Sequence, residues 1–97
     1  MIYNDLYTVE SYDKNEVVII LSNENHPIFK AHFPSNPILP GFIHFEIISK
    51  VFGLDITGIK KAKFSKVIKP EQTLIYKRDK NKFKVFCKDE EVVSISL

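Results

Sequence analysis

The sequence is poor in cysteine, in arginine and in long apolar runs, and each shortage closes off a class of protein. Cys87 is the single cysteine among 97 residues, so a fold stapled by intramolecular disulfides is excluded. Beside it stand only His26, His32 and His44, with no CxxC or HxxxH spacing, and no metal site is expected. The longest apolar-rich stretch, Leu39 to Leu54, is broken by His44, Glu46, Ser49 and Lys50. It falls short of the roughly 20 residues that cross a bilayer, so no membrane span is expected. No charged segment followed by an apolar core opens the chain as a signal peptide would, and a cytoplasmic location is expected. Arg78 is the one arginine beside thirteen lysines, and a net charge of +2 is too small to argue for nucleic acid as a partner.

What is present suits one folded unit. The chain is 44% hydrophobic and 27% charged, close to the globular average and too apolar for a disordered tail. A chain of this mass buries about 65% of its surface on folding, enough for one modest core. No repeat, low-complexity tract or Gly/Ser linker divides it, so residues 1–97 are expected to form a single domain.

Leu6 to Tyr12 and Glu16 to Ser22 are rich in β-branched and aromatic residues, and Asp13-Lys14-Asn15 between them supplies turn chemistry, which predicts a hairpin. Val17 to Leu21 is apolar at every position, as in a strand covered on both faces. From Asn23 to Pro40 the prolines at 27, 34, 37 and 40 predict a shaped loop. Gly41 to Phe52 contains none. At 100° per residue, Ile43, Phe45, Ile47, Ile48, Val51 and Phe52 cover a wide arc, predicting a helix buried over most of its circumference. Glu46, Ser49, Lys50 and Gly53 make a narrow polar stripe beside Phe42, and His44 sits alone in the apolar arc. Ile59 to Ile68, Thr73 to Arg78, Phe83 to Lys88 and Val92 to Leu97 then read as strands separated by turn-forming triplets. Strands grouped before and after one helix, with no βαβ alternation, imply an α+β fold, an antiparallel sheet wrapped around that helix.

The segment His26 to Lys50 reads HPIFKAHFPSNPILPGFIHFEIISK. It resembles the active-site segment of the hot-dog-fold 3-hydroxyacyl acyl-carrier-protein dehydratases. That motif runs as phenylalanine, two residues, HFPxxPxxPG, four residues, then an acid. Phe29, His32, Phe33, Pro34, Pro37, Pro40, Gly41 and Glu46 stand at the matching positions, with fourteen residues from histidine to acid. Weaker resemblance continues through Ala62-Lys63-Phe64 and Val67 to Pro70 to the C-terminus. Two positions differ from the usual pattern: Ala31 replaces a glycine, and Lys50 replaces a frequent glutamine. The segment that usually precedes the first strand in the family has no counterpart.

The resemblance implies a hot-dog fold with one long central helix and a lyase activity. Removing water from a 3-hydroxyacyl thioester requires a base for the α-proton, an acid for the departing hydroxyl and a donor for the thioester oxygen. A neutral His32 suits the base and Glu46 the acid, or the residue that orients the water. The N–H of Gly41, where a helix begins and backbone donors lack intrahelical partners, suits the thioester oxygen. Phe33, Pro40, Phe42, Phe45 and Phe64 are candidate walls of an acyl tunnel. No cofactor is implied. Lys50, four residues after Glu46, is placed to pair with it and favour its charged form.

A sheet over one helix leaves the helix and a sheet edge incompletely covered, which a second copy would complete. The resemblance implies a homodimer, or a trimer of such dimers, with histidine and acid of each site drawn from opposite chains. Lys60, Lys61, Lys63, Lys66 and Lys69 suit either an acidic acyl carrier protein or a solvated, aggregation-resistant edge. Two other functions fit the same fold: a noncatalytic acyl-binding module and an acyl-thioester hydrolase.

Overall fold

In the computed structural model, residues 5–31 and 35–97 are described, and His32, Phe33 and Pro34 lie outside them. Eight elements follow along the chain: β1 (Tyr7–Tyr12), β2 (Glu16–Leu21), α1 (Pro27–Ala31), α2 (Ile43–Phe52), β3 (Lys61–Phe64), β4 (Thr73–Asp79), β5 (Lys82–Cys87) and β6 (Glu90–Ser96). The six strands form one antiparallel sheet in the order β1-β2-β4-β5-β6-β3. The hairpin, the helix and the meander are where the sequence predicts them.

Side-chain alternation gives the sheet one core face. Val17, Ile19 and Leu21 of β2, Leu74 and Tyr76 of β4, and Phe83, Val85 and Cys87 of β5 are buried. Between them stand exposed or half-buried neighbours. Val18 and Ile20 are only half-buried, so β2 is not covered on both faces as its unbroken apolar run suggests. A bulge between Val85 and Phe86 places Val92 and Val93 together in the core, because one residue of β6 has no partner opposite it.

Ile43, Ile47 and Ile48 of α2 complete the buried cluster. Ring contact of Phe52 with Phe83, at 5.4 Å between centroids, ties the end of the helix to β5. The helix is shorter and less enclosed than its sequence suggests. Its first turn is tightened by three bonds of i→i+3 spacing, from the amides of Ile43, His44 and Phe45 to the carbonyls of Pro40, Gly41 and Phe42, so regular α-geometry starts at Ile43. At the other end Gly53 adopts the left-handed conformation at φ 65°, and the Leu54 amide returns to the Ser49 carbonyl. Phe45, Val51 and Phe52 are half-buried and Phe42 is exposed, because a single sheet covers only one side of a helix.

The proline-rich stretch is not all loop. Pro27 stands at the first position of α1, where a missing N–H costs nothing. Before it, the His26 carbonyl accepts from Phe29 and Lys30, and its Nδ1 accepts from the Ile28 amide at 3.0 Å. The imidazole thus caps the helix, and Ile28 and Phe29 are anchored in the core directly before the motif histidine.

Candidate active site

Chain direction and helical period place the candidate residues on two sides of α2. Pro40 and Gly41 come at the end of the extended segment, where the Leu39 amide bonds to the Ile68 carbonyl at 2.7 Å. This bond lays the approach to α2 beside the segment that follows β3, and Phe64 at the end of β3 closes over the glycine. A Cβ built on Gly41 would lie 3.1 Å from Phe64 Cε1, so the missing side chain is what lets the ring rest there. The result is a cleft of about 450 Å³, lined on one side by Ile38 to Gly41 and His44 and on the other by Phe64 to Ile68. Phe45 meets the Phe64 ring edge-on at 6.3 Å. Thus Pro40, Gly41 and Phe64 are brought together, with Phe45 against the outer ring. Phe42, 50% exposed, lines neither cavity flanking α2.

Glu46 is elsewhere. It follows His44 by two residues, about 200° around the helix, and opens on a separate groove of about 710 Å³ between α2 and β1. Asp5, Tyr7, Val9, Tyr12 and Lys50 share that groove. Burial raises the pKa of Tyr7 there. Among the described residues Glu46 and Lys50 form no ion pair, contrary to their i, i+4 spacing; both are exposed, where such a pair is worth little. The Glu46 carboxylate therefore faces the groove uncompensated by its helical neighbour.

His44, alone in the apolar arc of the sequence, is a buried histidine that also forms part of the cleft wall. It is 2% exposed, its ring is stacked on Phe64 at 6.1 Å, and its Nδ1 lies 2.7 Å from the Tyr76 hydroxyl. Burial lowers its pKa to about 4, so the ring is neutral at physiological pH, and burial also raises that of Tyr76 well above the ordinary phenol. The signal was a lone histidine on an apolar arc; its hydroxyl partner, 32 residues away, had none. Tyr7 and Tyr12, which flank Glu46, likewise had no local motif. Among the described residues no cluster of metal-ligating side chains occurs, and no helix is long and apolar enough to cross a membrane.

The ApeI-like model, described as ApeI dehydratase, matches residues 9–96, across the motif, the cleft and all of the sheet but the start of β1. The chain belongs to the ApeI-like dehydratase family. It is 36% identical over 64 residues to the 3-hydroxyacyl acyl-carrier-protein dehydratase FabZ of Thermoanaerobacter sp. (strain X514), covering 53% of this chain and 45% of that one. Against the FabZ of Latilactobacillus sakei it is 31% identical over 91 residues, covering 78% and 65%. The chain spans about half the length of the first of these relatives. Among solved structures, the dehydratase heterocomplex ApeI:P from Xenorhabdus doucetiae superposes with a TM-score of 0.64 at 23% identity, over 92% of each chain. A hypothetical thioesterase from Streptococcus pneumoniae gives 0.55 at 15% identity, over 92% of this chain and 84% of that one. These likenesses establish a hot-dog fold for this member of the family.

Proposed function

We propose that the protein dehydrates a 3-hydroxyacyl thioester, linked to acyl carrier protein or coenzyme A, to the trans-2-enoyl thioester in fatty-acid or related acyl-chain biosynthesis. One observation carries this reading: an exposed carboxylate, Glu46, without an ion-pair partner among the described residues, stands fourteen residues after the motif histidine in a dehydratase-family chain. In the proposed reaction neutral His32 removes the α-proton, and charge moves onto the thioester oxygen, which the Gly41 N–H stabilises at the start of α2. Glu46 acts as the acid and donates a proton to the departing 3-hydroxyl. The C3–O bond breaks, the C2=C3 bond forms and water leaves; the proton taken by His32 then returns to Glu46 through solvent, so the proton count closes without a cofactor.

The working unit in this proposal is a homodimer, alone or as part of a trimer of dimers. In one chain Gly41 and Glu46 open on different cavities, so a complete site draws the acid from a second copy. Strand β3 is a sheet edge, exposed along its length, and Phe64 and Val67 beside it are 47% and 61% exposed. Pairing two such edges would continue the sheet, cover these side chains and make α2 the long helix wrapped by sheet. Lys61 and Lys63 share an outer surface with Lys77, Lys82 and Lys84, which favours an acidic carrier protein as the bearer of the substrate.

The test follows enoyl-thioester absorbance from 3-hydroxyacyl substrates. The expected result is turnover by the native chain and a loss of about 10²-fold or more in His32→Ala, the usual scale of positioned acid-base catalysis. Free thiol release would identify a hydrolase instead. Binding without turnover would identify an acyl-binding module.

A further inference from the structure

The buried pair of His44 and Tyr76 leaves one polar atom aimed at the cleft. Tyr76 is 0% exposed, and among the described residues its hydroxyl meets His44 Nδ1 alone. If Nδ1 carried the proton, the phenol proton would be buried without an acceptor, at a cost comparable to a lost hydrogen bond. The phenol O–H therefore donates to Nδ1, and the single proton of the neutral imidazole lies on Nε2. Among the described residues Nε2 bonds to no other atom, yet no enclosed side-chain nitrogen or oxygen there lacks a partner. Nε2 is thus the atom through which the ring opens to the cleft it lines. The remaining walls are mostly apolar, Leu39, Pro40, Phe64 and Ile68 among them, with Ser65 and Lys66 on the side opposite His44.

We propose that His44 is a substrate-binding residue whose Nε2–H donates to an oxygen on the acyl chain beyond C3, so that the cleft selects acyl thioesters carrying a carbonyl, ether or hydroxyl oxygen further along the chain over those that are plain alkyl beyond C3. This rests on the acyl-thioester reading above, in which the Gly41 N–H takes the thioester oxygen. His44 comes three residues later on the same cleft wall, deeper in the core. A methylene placed against Nε2–H would remove it from water and offer nothing in return, whereas an oxygen there would satisfy it. A site built to hydrogen-bond a substrate group rejects analogues lacking that group far more strongly than an apolar site rejects an added one.

Binding, not turnover, supplies the test, so it succeeds or fails independently of the dehydration chemistry. Calorimetry would compare an alkyl acyl-pantetheine amide with analogues of equal length in which one methylene is replaced by a carbonyl at successive positions from C4 outward. The native protein is expected to bind one oxo isomer about tenfold or more tighter than the alkyl parent. His44→Gln, which keeps a donor, retains a preference. His44→Leu combined with Tyr76→Phe removes both polar groups without orphaning either, so it folds, and it loses the preference. Ring ¹⁵N shifts of the native protein are expected to show the Nε2–H tautomer. An Nδ1–H tautomer, equal affinity for alkyl and every oxo isomer, or a preference that survives in the double variant would each overturn the proposal. Tight oxo-selective binding without dehydration would instead overturn only the assigned reaction.

Discussion

The two sides of α2 solve opposite problems. Toward the cleft, a glycine, a neutral histidine and two aromatic rings are held against one another within one chain: Gly41 under Phe64, His44 between Phe64 and Tyr76. Toward the β1 groove, Glu46 and Lys50 are exposed and share no ion pair. The difference teaches where each side derives its order. The cleft is organised by its own chain, whereas the Glu46 carboxylate lies exposed on a groove that, in the proposed dimer, a second copy covers.

Perturbing the cleft should then change stability together with substrate binding, and perturbing the groove should change activity alone. The largest effect is expected with acid. A histidine whose pKa is about 4 when folded and near 6.5 when unfolded binds its proton first in the unfolded chain. Stability contributed by the neutral ring is complete above about pH 6.5 and falls as pH drops toward 4, by about 3 kcal/mol in all. The groups facing the ring are Tyr76 from β4 and, across the cleft, Lys66, which is paired with Glu90; none of the three side chains replaces this dependence. Denaturant unfolding from pH 7 to 4 should therefore be flatter in the His44→Leu, Tyr76→Phe double variant than in the native chain. Parallel curves would show that His44 is not the group responsible.

On the other side of the helix, Glu46→Ala should lower kcat about 10²-fold while the unfolding midpoint stays within about 0.5 kcal/mol of native, as for an exposed residue. A large loss of stability with normal kcat would reverse the assignment of the two sides. A smaller change belongs to Gly41→Ala, whose new methyl group must displace the Phe64 ring by a few tenths of an ångström. Because that ring is half exposed it can yield, and a cost of about 1 kcal/mol is expected, accompanied by weaker substrate binding.

The smallest expected effect lies away from both faces, in the β5–β6 hairpin. Lys88 and Asp89 both have positive φ, 52° and 63°, as a two-residue turn of this hand requires. Lys88→Asn with Asp89→Gly should raise stability by about 1 kcal/mol and leave activity unchanged.

That hairpin also marks where sequence reading stops. The strands were legible because the runs from Thr73, Phe83 and Val92 are rich in β-branched and aromatic residues and set off by turn-forming triplets, but the β5–β6 turn lies at Lys88-Asp89, one position ahead of the acidic triplet that suggested it. Prolines were read as breakers, and Pro27 instead opens a helix, because the rule depends on position within the helix and not on composition. The motif carried the family and the positions of Gly41 and Glu46. It did not carry the His44–Tyr76 bond, the Phe64 lid over Gly41 or the unpaired state of Glu46, since each depends on residues brought together by the sheet or on a choice between partner and solvent.

The account turns on the claim that the two sides of one α2 serve two different sites, each completed by another chain. His32→Ala and Glu46→Ala homodimers are then both inactive for complementary reasons. Unfolded and refolded together in equal amounts, half of the dimers are mixed, and each mixed dimer carries one site with both native residues, so about a quarter of native activity should return. No recovery, in a preparation whose mixed dimers are confirmed by a mass tag, would mean that each site is built within a single chain.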